Sequence, residues 1–502
     1  MTSINSDFMS QLALRSLGNS SNMMTQAMER LSTGKRVNSA ADDAAGLGIA
    51  TKLRAQVNSL NAATRNATDA LALIGTIDGA LEESGEILLR MRELAVQSAS
   101  DTNTGTDRSF IQDEINTLNN ELNRISSSTE FNAVKLLDGT YNNKQIQIGT
   151  GANQVFNIGV TATDSSTLGA YELESTAEIN TSAKASAADA KTQLTGLLSS
   201  AADYTVKGSF GSADIKVDAG ADARDVAKSF NLSAGTTGIN ATAITKAQIT
   251  KLSHATTVSF TLEGKSSTAS TVNATINSVS NLTALKDAIN SVSGATGISA
   301  SLTTDLSGIN LVQQDGYDIV IGDVTTTHAS GTMSVKVADK TGATQGTEHA
   351  LSGATTGTDS IAMVGQVSLS SHKAFTVTPG NAANHFATTA TAQTSTLQSM
   401  GAVDISSQTG ATKALSVIDG AIAMISEVRS EMGAAENRLT STVDNLSNVS
   451  VNTQRSLTAV EDANFASETS ALTKAQILQQ AATSMLAQAN KAKQTMLVLL
   501  QG

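Results

Sequence analysis

Apolar residues recur at alternating steps of three and four at both ends of this chain. Near the N-terminus Leu14, Leu17, Met24, Met28 and Leu31 follow that spacing, and Ser10 and Ser21 occupy the remaining places of the stripe. Near the C-terminus Ala471, Ala475, Leu478, Ala482, Met485, Ala489, Ala492, Met496 and Leu499 repeat it. Such a stripe is the seam of a helix lying along another helix, so both ends read as strands of a coiled coil. Alanine knobs bury little area, and the C-terminal seam therefore favours close approach over independent stability. The run Met496-Leu497-Val498-Leu499-Leu500 adds a large apolar surface beside the last residues. It is far shorter than the roughly 20 apolar residues that cross a bilayer, so a partner surface is expected to cover it.

The same spacing continues inward. Ile49, Leu53, Val57, Leu60, Thr64, Ala67, Leu71, Ile74, Leu81, Leu88, Met91 and Ala95 predict one helix ending near Ser100. The polar stretch 101-DTNTGTD-107 supplies a turn, with Thr106 or Asp107 as the expected N-cap of a following helix that carries Ile111, Ile115, Leu118, Leu122 and Ile125. Leu415, Ile418, Ile422, Ile425, Met432, Leu439, Val443, Leu446, Leu457 and Val460 predict a rod from Thr412 to Val460, on the order of 70 Å long. Between the first two helices, 32-STGKRVNSAADDAAGLGIA-50 mixes Gly34, Gly46 and Gly48 with Asn, Ser and Asp and reads as a loop.

Period two replaces this pattern at 145-QIQIGTGANQVFNIGV-160, the signature of a β-hairpin. From Thr161 to Gly410 the chain is rich in Ala, Ser, Thr and Gly, with short β-like pieces at 204–210, 257–264 and 318–324. A weak repeat lies inside: 235-GTTGINAT-242 matches 294-GATGISAS-301, and helical patterns at 221–230 and 283–292 precede the two copies. The expected fold class is α+β: helical coiled-coil and rod domains built by both termini, a β-hairpin, and a central insert of one or two small β-rich domains. The segments are 1–45 and 461–502 for the coiled coil and its spoke, 46–160 and 411–460 for the rod, and 161–410 for the insert.

A formal charge of −12 argues against nucleic-acid binding, which wants a basic footprint. The absence of cysteine excludes disulfides and thiolate metal sites, and Pro379 is the sole proline. The N-terminus has no basic start followed by a continuous apolar core, so neither a cleavable signal nor membrane insertion is expected. His254, His328, His349, His372 and His385 have no second histidine at the spacing of a zinc-protease helix, and no phosphate-binding or dinucleotide fingerprint is present. The reading is therefore a non-enzyme without cofactor or metal.

The stretches 29-ERLSTGKRVNSAADDAAGLGIA-50, 90-RMRELAVQSASDTNT-104, 130-EFNAVKLLDG-139, 414-ALSVIDGAIAMISEVRSEMGAAENRL-439 and 464-NFASETSALTKAQILQQAATSMLAQAN-490 resemble bacterial flagellin. The resemblance covers residues 1–160 and 411–502. It implies an extracellular homopolymer, the filament of the bacterial flagellum, in which terminal helices line the core and the insert faces water. It also implies signal-less type III export, an export chaperone that binds the C-terminus, a filament cap and hook-junction proteins as partners. A hook-associated junction protein is the alternative, since it shares terminal coiled coils. On this reading Leu14, Leu17, Met24, Met28, Leu31, Leu478, Met485, Met496 and Leu499 form the subunit-packing seam.

Two patches resemble surfaces read by host flagellin receptors. Asp42 and Asp43 match positions in the plant receptor's epitope, with departures at Glu29, Lys35, Val37, Ala41 and Gly48; their plain structural role is to cap the following helix. Arg90, Leu94 and Glu114 are similar to the vertebrate receptor's epitope, with Leu89 in place of the usual Gln and Met91 in place of Val. The primary role expected of that patch is packing between subunits.

Overall fold

The computed structural model describes residues 8–501 except 176–177, 180–182, 185, 189, 192–201, 219, 267, 354–357, 381–385 and 387–390, and leaves out the side chains of 9, 178–179, 202 and 492–501. His385 thus lies outside the described residues. The chain forms two compact units, one from 1–75, 143–159 and 433–502, the other from 76–142 and 160–432.

The first unit is helical. It contains α1 (Phe8–Thr33), the opening part of α2 (Ala44–Ala99), the closing part of α6 (Gln408–Glu461) and α7 (Phe465–Gln501). Helix α6 begins four residues before the predicted Thr412 start and ends one residue past Val460. Leu60 and Ala63 of α2 pack on Leu446 of α6. The hairpin expected at 145–160 pairs Lys144–Gln147 antiparallel with Val155–Ile158, placing Ile146 opposite Phe156. Phe156 is buried beneath the Arg438 guanidinium, 5.2 Å from the ring centroid, and Asn66 donates to the Gln147 carbonyl at 2.9 Å. The alternation of apolar and polar residues thus lets the hairpin dock one face and leave the other wet.

In the second unit, α2 from Thr76, α3 (Gly105–Ser128) and α6 up to Met432 bury Ile77, Leu81, Leu88 and Met91 with Ile115, Leu122, Ile418, Ala421 and Ile425. Arg429 donates to both Asp78 oxygens at 2.8 and 3.3 Å, and Arg92 donates to Asp419 at 2.6 Å. The N-cap of α3 is Thr104, not Thr106 or Asp107. Thr104 has extended backbone, its hydroxyl accepts from the Asp107 amide, and Asp107 accepts in return from the Thr104 amide at 2.9 Å. This reciprocal box satisfies two amides at once, which a cap at Asp107 could not do.

The β-rich part of this unit is antiparallel throughout its described strands. One sheet runs 270–275, 257–263, 319–326, 361–364, 178–179. A second runs 298–302, 309–313, 240–252, 366–371, 169–174, 396–399, with 332–338 also paired to the long strand and 344–352 paired to 332–338. A third runs 393–394, 376–379, 202–207, 212–217. Two apolar clusters fill the interior: Phe260, Leu262, Ile298, Ile319 and Ile321 belong to one, Tyr204, Phe230, Phe375 and Val377 to the other.

The sequence repeat is a structural duplication. Each copy is a hairpin, then a helix, α4 (Ala223–Leu232) or α5 (Thr283–Ser291), then one further helical turn, a glycine and a strand. Gly238 and Gly297 both take positive φ, +73° and +69°, which a side chain would strain. Asn231 donates to the Ala241 carbonyl and accepts from its amide at 2.8 Å each; Asn290 does the same to Ala300 at 2.9 and 2.8 Å. The clamping asparagines stand at the repeat's own offset. Beside α4, whose N-cap is Asp222, the Oδ1 atom of Asp318 is buried without a hydrogen-bond partner. Burial, reinforced by the Asp222 carboxylate, pushes the Asp318 carboxyl up to about 7, with Lys191 opposing.

Candidate subunit-contact and recognition surfaces

In the first unit α1 and α7 pack along each other in antiparallel fashion, and Arg30 near the end of α1 donates to Glu468 near the start of α7 at 3.1 Å. The inward residues of α1 are Ser10, Ala13, Leu17, Ser20, Met24, Ala27 and Leu31; those of α7 are Glu468, Leu472, Ala475, Gln479, Ala482, Leu486 and Ala489. Both rows keep the alternation of three and four. Leu17, Met24 and Leu31 therefore take part in the pairing within one chain. Leu14, Met28, Leu478 and Met485 do not: they lie on the outer side, where Met485 is 57% exposed. Ser10, Ser20, Ala27, Ala475 and Ala482 are the buried side chains of the two rows, and the larger inward residues between them are partly covered. Phe8, Leu12, Met23, Phe465 and Ile477 enlarge the outer apolar surface. Met496 and Leu499 belong to α7 by backbone, and their side chains lie outside the described residues.

A polar knot fixes where α1 ends and α7 begins. Glu461 is buried and accepts from Lys35 and Arg54. The Arg36 amide donates to the Glu461 carbonyl at 2.6 Å, its guanidinium to the Val460 carbonyl at 2.8 Å, and the Ala463 amide to the Gly34 carbonyl at 2.9 Å. The hydrogen bond from Lys35, aided by Arg54, holds the Glu461 carboxyl below its ordinary range despite burial. No spacing singles out Glu461, which adjoins Asp462 at the end of a rod and meets Lys35 and Arg54 only in space.

The two aspartates of the intervening loop divide their labour. Asp43 precedes α2 and accepts from the Gly46 amide at 2.8 Å, a cap as expected. Asp42 does not cap α2. Its carboxylate closes the preceding turn, accepting from the Ser39 amide at 2.9 Å, the Ser39 hydroxyl at 3.0 Å and the Asn38 amide at 3.2 Å. Those bonds, the Ser39 amide foremost, lower its pKa.

In the second unit Arg90 forks onto Glu114, Nε at 3.0 Å and Nη2 at 2.8 Å, and reaches Glu93 at 3.0 Å. These bonds raise the arginine's pKa, Glu114 contributing most. The turn at 101–107 brings Arg90 and Glu114 together as the sequence implies. Leu94 is different: only 2% exposed, it faces the helical core, because it stands on the same buried stripe as Met91 and Leu88. The apolar side chains exposed beside this ion pair's helices are Leu89 and Val96 on α2 and Phe110 on α3. Leu89 and Val96 are seven positions apart and off the buried stripe, which is the sign that would have found them.

Among the described residues no cluster of three or more His, Asp or Glu is arranged to hold a metal ion, and no helix is long and apolar enough to cross a membrane. His254 and His328 stack ring on ring with centroids 4.0 Å apart.

The terminal helices of the first unit thus expose large apolar side chains, Leu14, Met28, Ile477 and Met485 among them. Family models of the bacterial flagellin N-terminal and C-terminal helical regions match residues 4–142 and 415–500. The flagellin hook IN motif matches 259–315, which covers most of the second copy of the duplication. B-type flagellin of Pseudomonas aeruginosa is 34% identical over 99% of both chains, and flagellin of Salmonella typhimurium is 31% identical over 99% of both. Among solved structures, FliC of Burkholderia pseudomallei aligns with 73% of this chain and 99% of its own at 15% identity, with a TM-score of 0.29 too low to carry weight. The chain belongs to the bacterial flagellins, the structural subunits that polymerise into the extracellular flagellar filament.

Proposed function

We propose that the outer apolar residues of the terminal helices, Leu14 and Met28 on α1 with Ile477, Leu478 and Met485 on α7, are the contacts between subunits, and that Met496 and Leu499 extend them. The observation that supports this is the exposure of large apolar side chains on the faces of two helices that their mutual pairing leaves uncovered. Exposed apolar area of that kind is covered by association. Residues 1–45 and 461–502 act as the coiled-coil segment, 46–160 and 411–460 as the rod, and 161–410 as a water-facing insert that polymerisation does not need.

The chain carries no catalytic function. It leaves the cell through the flagellar type III route, with a chaperone masking the apolar C-terminus and a cap protein guiding its addition to the filament. Arg90 and Glu114 form the exposed part of a patch that serves subunit packing first and a vertebrate flagellin receptor second, with Leu94 supporting it from beneath. Asp42 and Asp43 shape the loop a plant receptor would read. The test is seeded polymerisation of purified chain viewed by electron microscopy. Micrometre filaments are expected; short, non-growing assemblies would instead fit a junction role. A variant joining Val160 to Ala411 through a flexible linker is expected to grow as well, and failure with every linker length would contradict the part assigned to the insert.

A further inference from the structure

The second unit holds a cavity of about 480 Å³ between the sheet surface and the first turns of α6. Its volume lies in the range of small-molecule sites. The sheet side contributes Glu172 and Lys246, Lys340 comes from the turn after strand 332–338, and α6 contributes Lys413 and Ser416. No function assigned above uses these groups.

Their pairing is uneven. Glu172 is buried; its Oε1 accepts from the Ser416 hydroxyl at 2.6 Å and its Oε2 from Lys340 at 3.2 Å, while Lys340 also pairs with Glu174. Lys340 is therefore neutralised. Lys246 is not: its ammonium donates to the Lys340 carbonyl at 2.6 Å but makes no ion pair among the described residues, and burial lowers its pKa, with only the more distant charge of Asp339 opposing. Lys413 likewise has no ion pair among the described residues. A half-buried ammonium whose only counter-charge, Asp339, makes no contact with it is incompletely compensated, and an anion in the cavity would offset that cost. Around the two lysines, Ser and Thr hydroxyls and the Glu172 carboxylate offer acceptors as well as donors, which suits a ligand with several hydroxyl groups. No aromatic side chain lines the space, so nothing there would stack on a planar ring.

We propose that this cavity binds a small hydroxylated monocarboxylate, a sugar acid of hexose size, with its carboxylate between Lys246 and Lys413 and its hydroxyls toward Glu172 and the Ser/Thr rim. The site holds the sheet and the start of α6 to one ligand, so its occupancy stabilises this unit.

The experiment is calorimetric titration of the full-length monomer with galacturonate, with galactose and acetate as separate probes. Galacturonate is expected to bind at least about tenfold more tightly than either, since only it offers charge and hydroxyls together. Lys413→Gln, an exposed helix substitution, should weaken galacturonate about five- to tenfold, a loss in the range of one charge-assisted contact, and leave any galactose binding unchanged. Lys246→Met should abolish galacturonate binding if circular dichroism shows it folded; if it does not fold, Lys413→Gln decides alone. No heat with galacturonate at about 10 mM, equal binding of acetate, or a Lys413→Gln variant that binds like the parent chain would each overturn the proposal.

Discussion

The terminal helix pair and the β-rich part of the second unit bury side chains by opposite rules. In the second unit Phe260, Leu262, Ile298, Ile319 and Ile321 are large and fully enclosed by the chain's own strands. On α7, between Phe465 and Lys491, the buried side chains are Ala475 and Ala482, while Ile477 and Met485 face outward. At about 25 cal/mol per Å², two alanines contribute little, whereas the enclosed phenylalanine and isoleucines each contribute about 1.5–3 kcal/mol. The central region thus carries its own stability, and the terminal pair leaves large apolar groups such as Ile477 and Met485 uncovered by its own chain.

Substitutions can break that contrast, starting with the largest effect. Phe260→Ala should destabilise the second unit by about 3–5 kcal/mol, the usual range for an enclosed phenylalanine, and leave seeded elongation of folded protein intact. Differential scanning calorimetry and a seeded growth assay check the two halves of this expectation.

Asp318 weakens the same unit in a pH-dependent way. Its folded pKa, about 7, stands above the ordinary 3.8, so between those values the folded chain holds a proton that the unfolded chain has lost. Stability attributable to this group is therefore lost as pH rises from about 4 through 7. Asp318→Asn should raise stability by about 2–4 kcal/mol at pH 8 and hardly at all at pH 4. Denaturant melts at the two pH values measure the difference.

In the first unit Glu461→Gln should cost about 1–2 kcal/mol rather than the 3–5 of a fully buried pair, because Lys35 and Arg54 remain about half exposed and can rehydrate. The sign of its pH dependence is opposite to that of Asp318. A carboxyl held below its ordinary value stabilises above that value and loses its contribution as pH falls through the lowered one. Hydrogen exchange at residues 34–37 and 460–463 reports the loss.

The smallest effect sharpens the comparison most, because it sets neighbouring residues against each other. Leu486 faces α1 and Met485 faces away. Leu486→Ala should destabilise the helix pair in the monomer by about 1 kcal/mol, as expected for a half-buried side chain. Met485→Glu should leave monomer helicity unchanged and slow filament growth. Circular dichroism and seeded growth on both variants separate the two faces.

Much of this architecture was legible in the spacing of apolar residues. The α2 helix ends one residue from the expected Ser100, the hairpin falls at the expected residues, and the repeat at 235 and 294 is a structural unit. The face of the terminal helices was harder to read. Leu12, Leu14, Met23, Met24 and Met28 offer two overlapping stripes, and hydrophobicity alone favours the bulky one; close helix approach selected Ser20 and Ala27 instead. Resemblance to a receptor epitope groups Leu94 with Arg90, yet its burial follows the stripe through Leu88 and Met91. Glu461 and Asp318 were not legible, since each depends on residues remote in sequence meeting in space.

The central claim is that the outer face of α7 is completed only by other subunits. Seeded elongation of a chain ending at Gln488, lacking residues 489–502, followed by turbidity and electron microscopy, tests it most directly. A soluble monomer with the unfolding transition of the second unit intact and no filament growth is the predicted result. Filaments growing from the shortened chain at the rate of the full-length protein would contradict it.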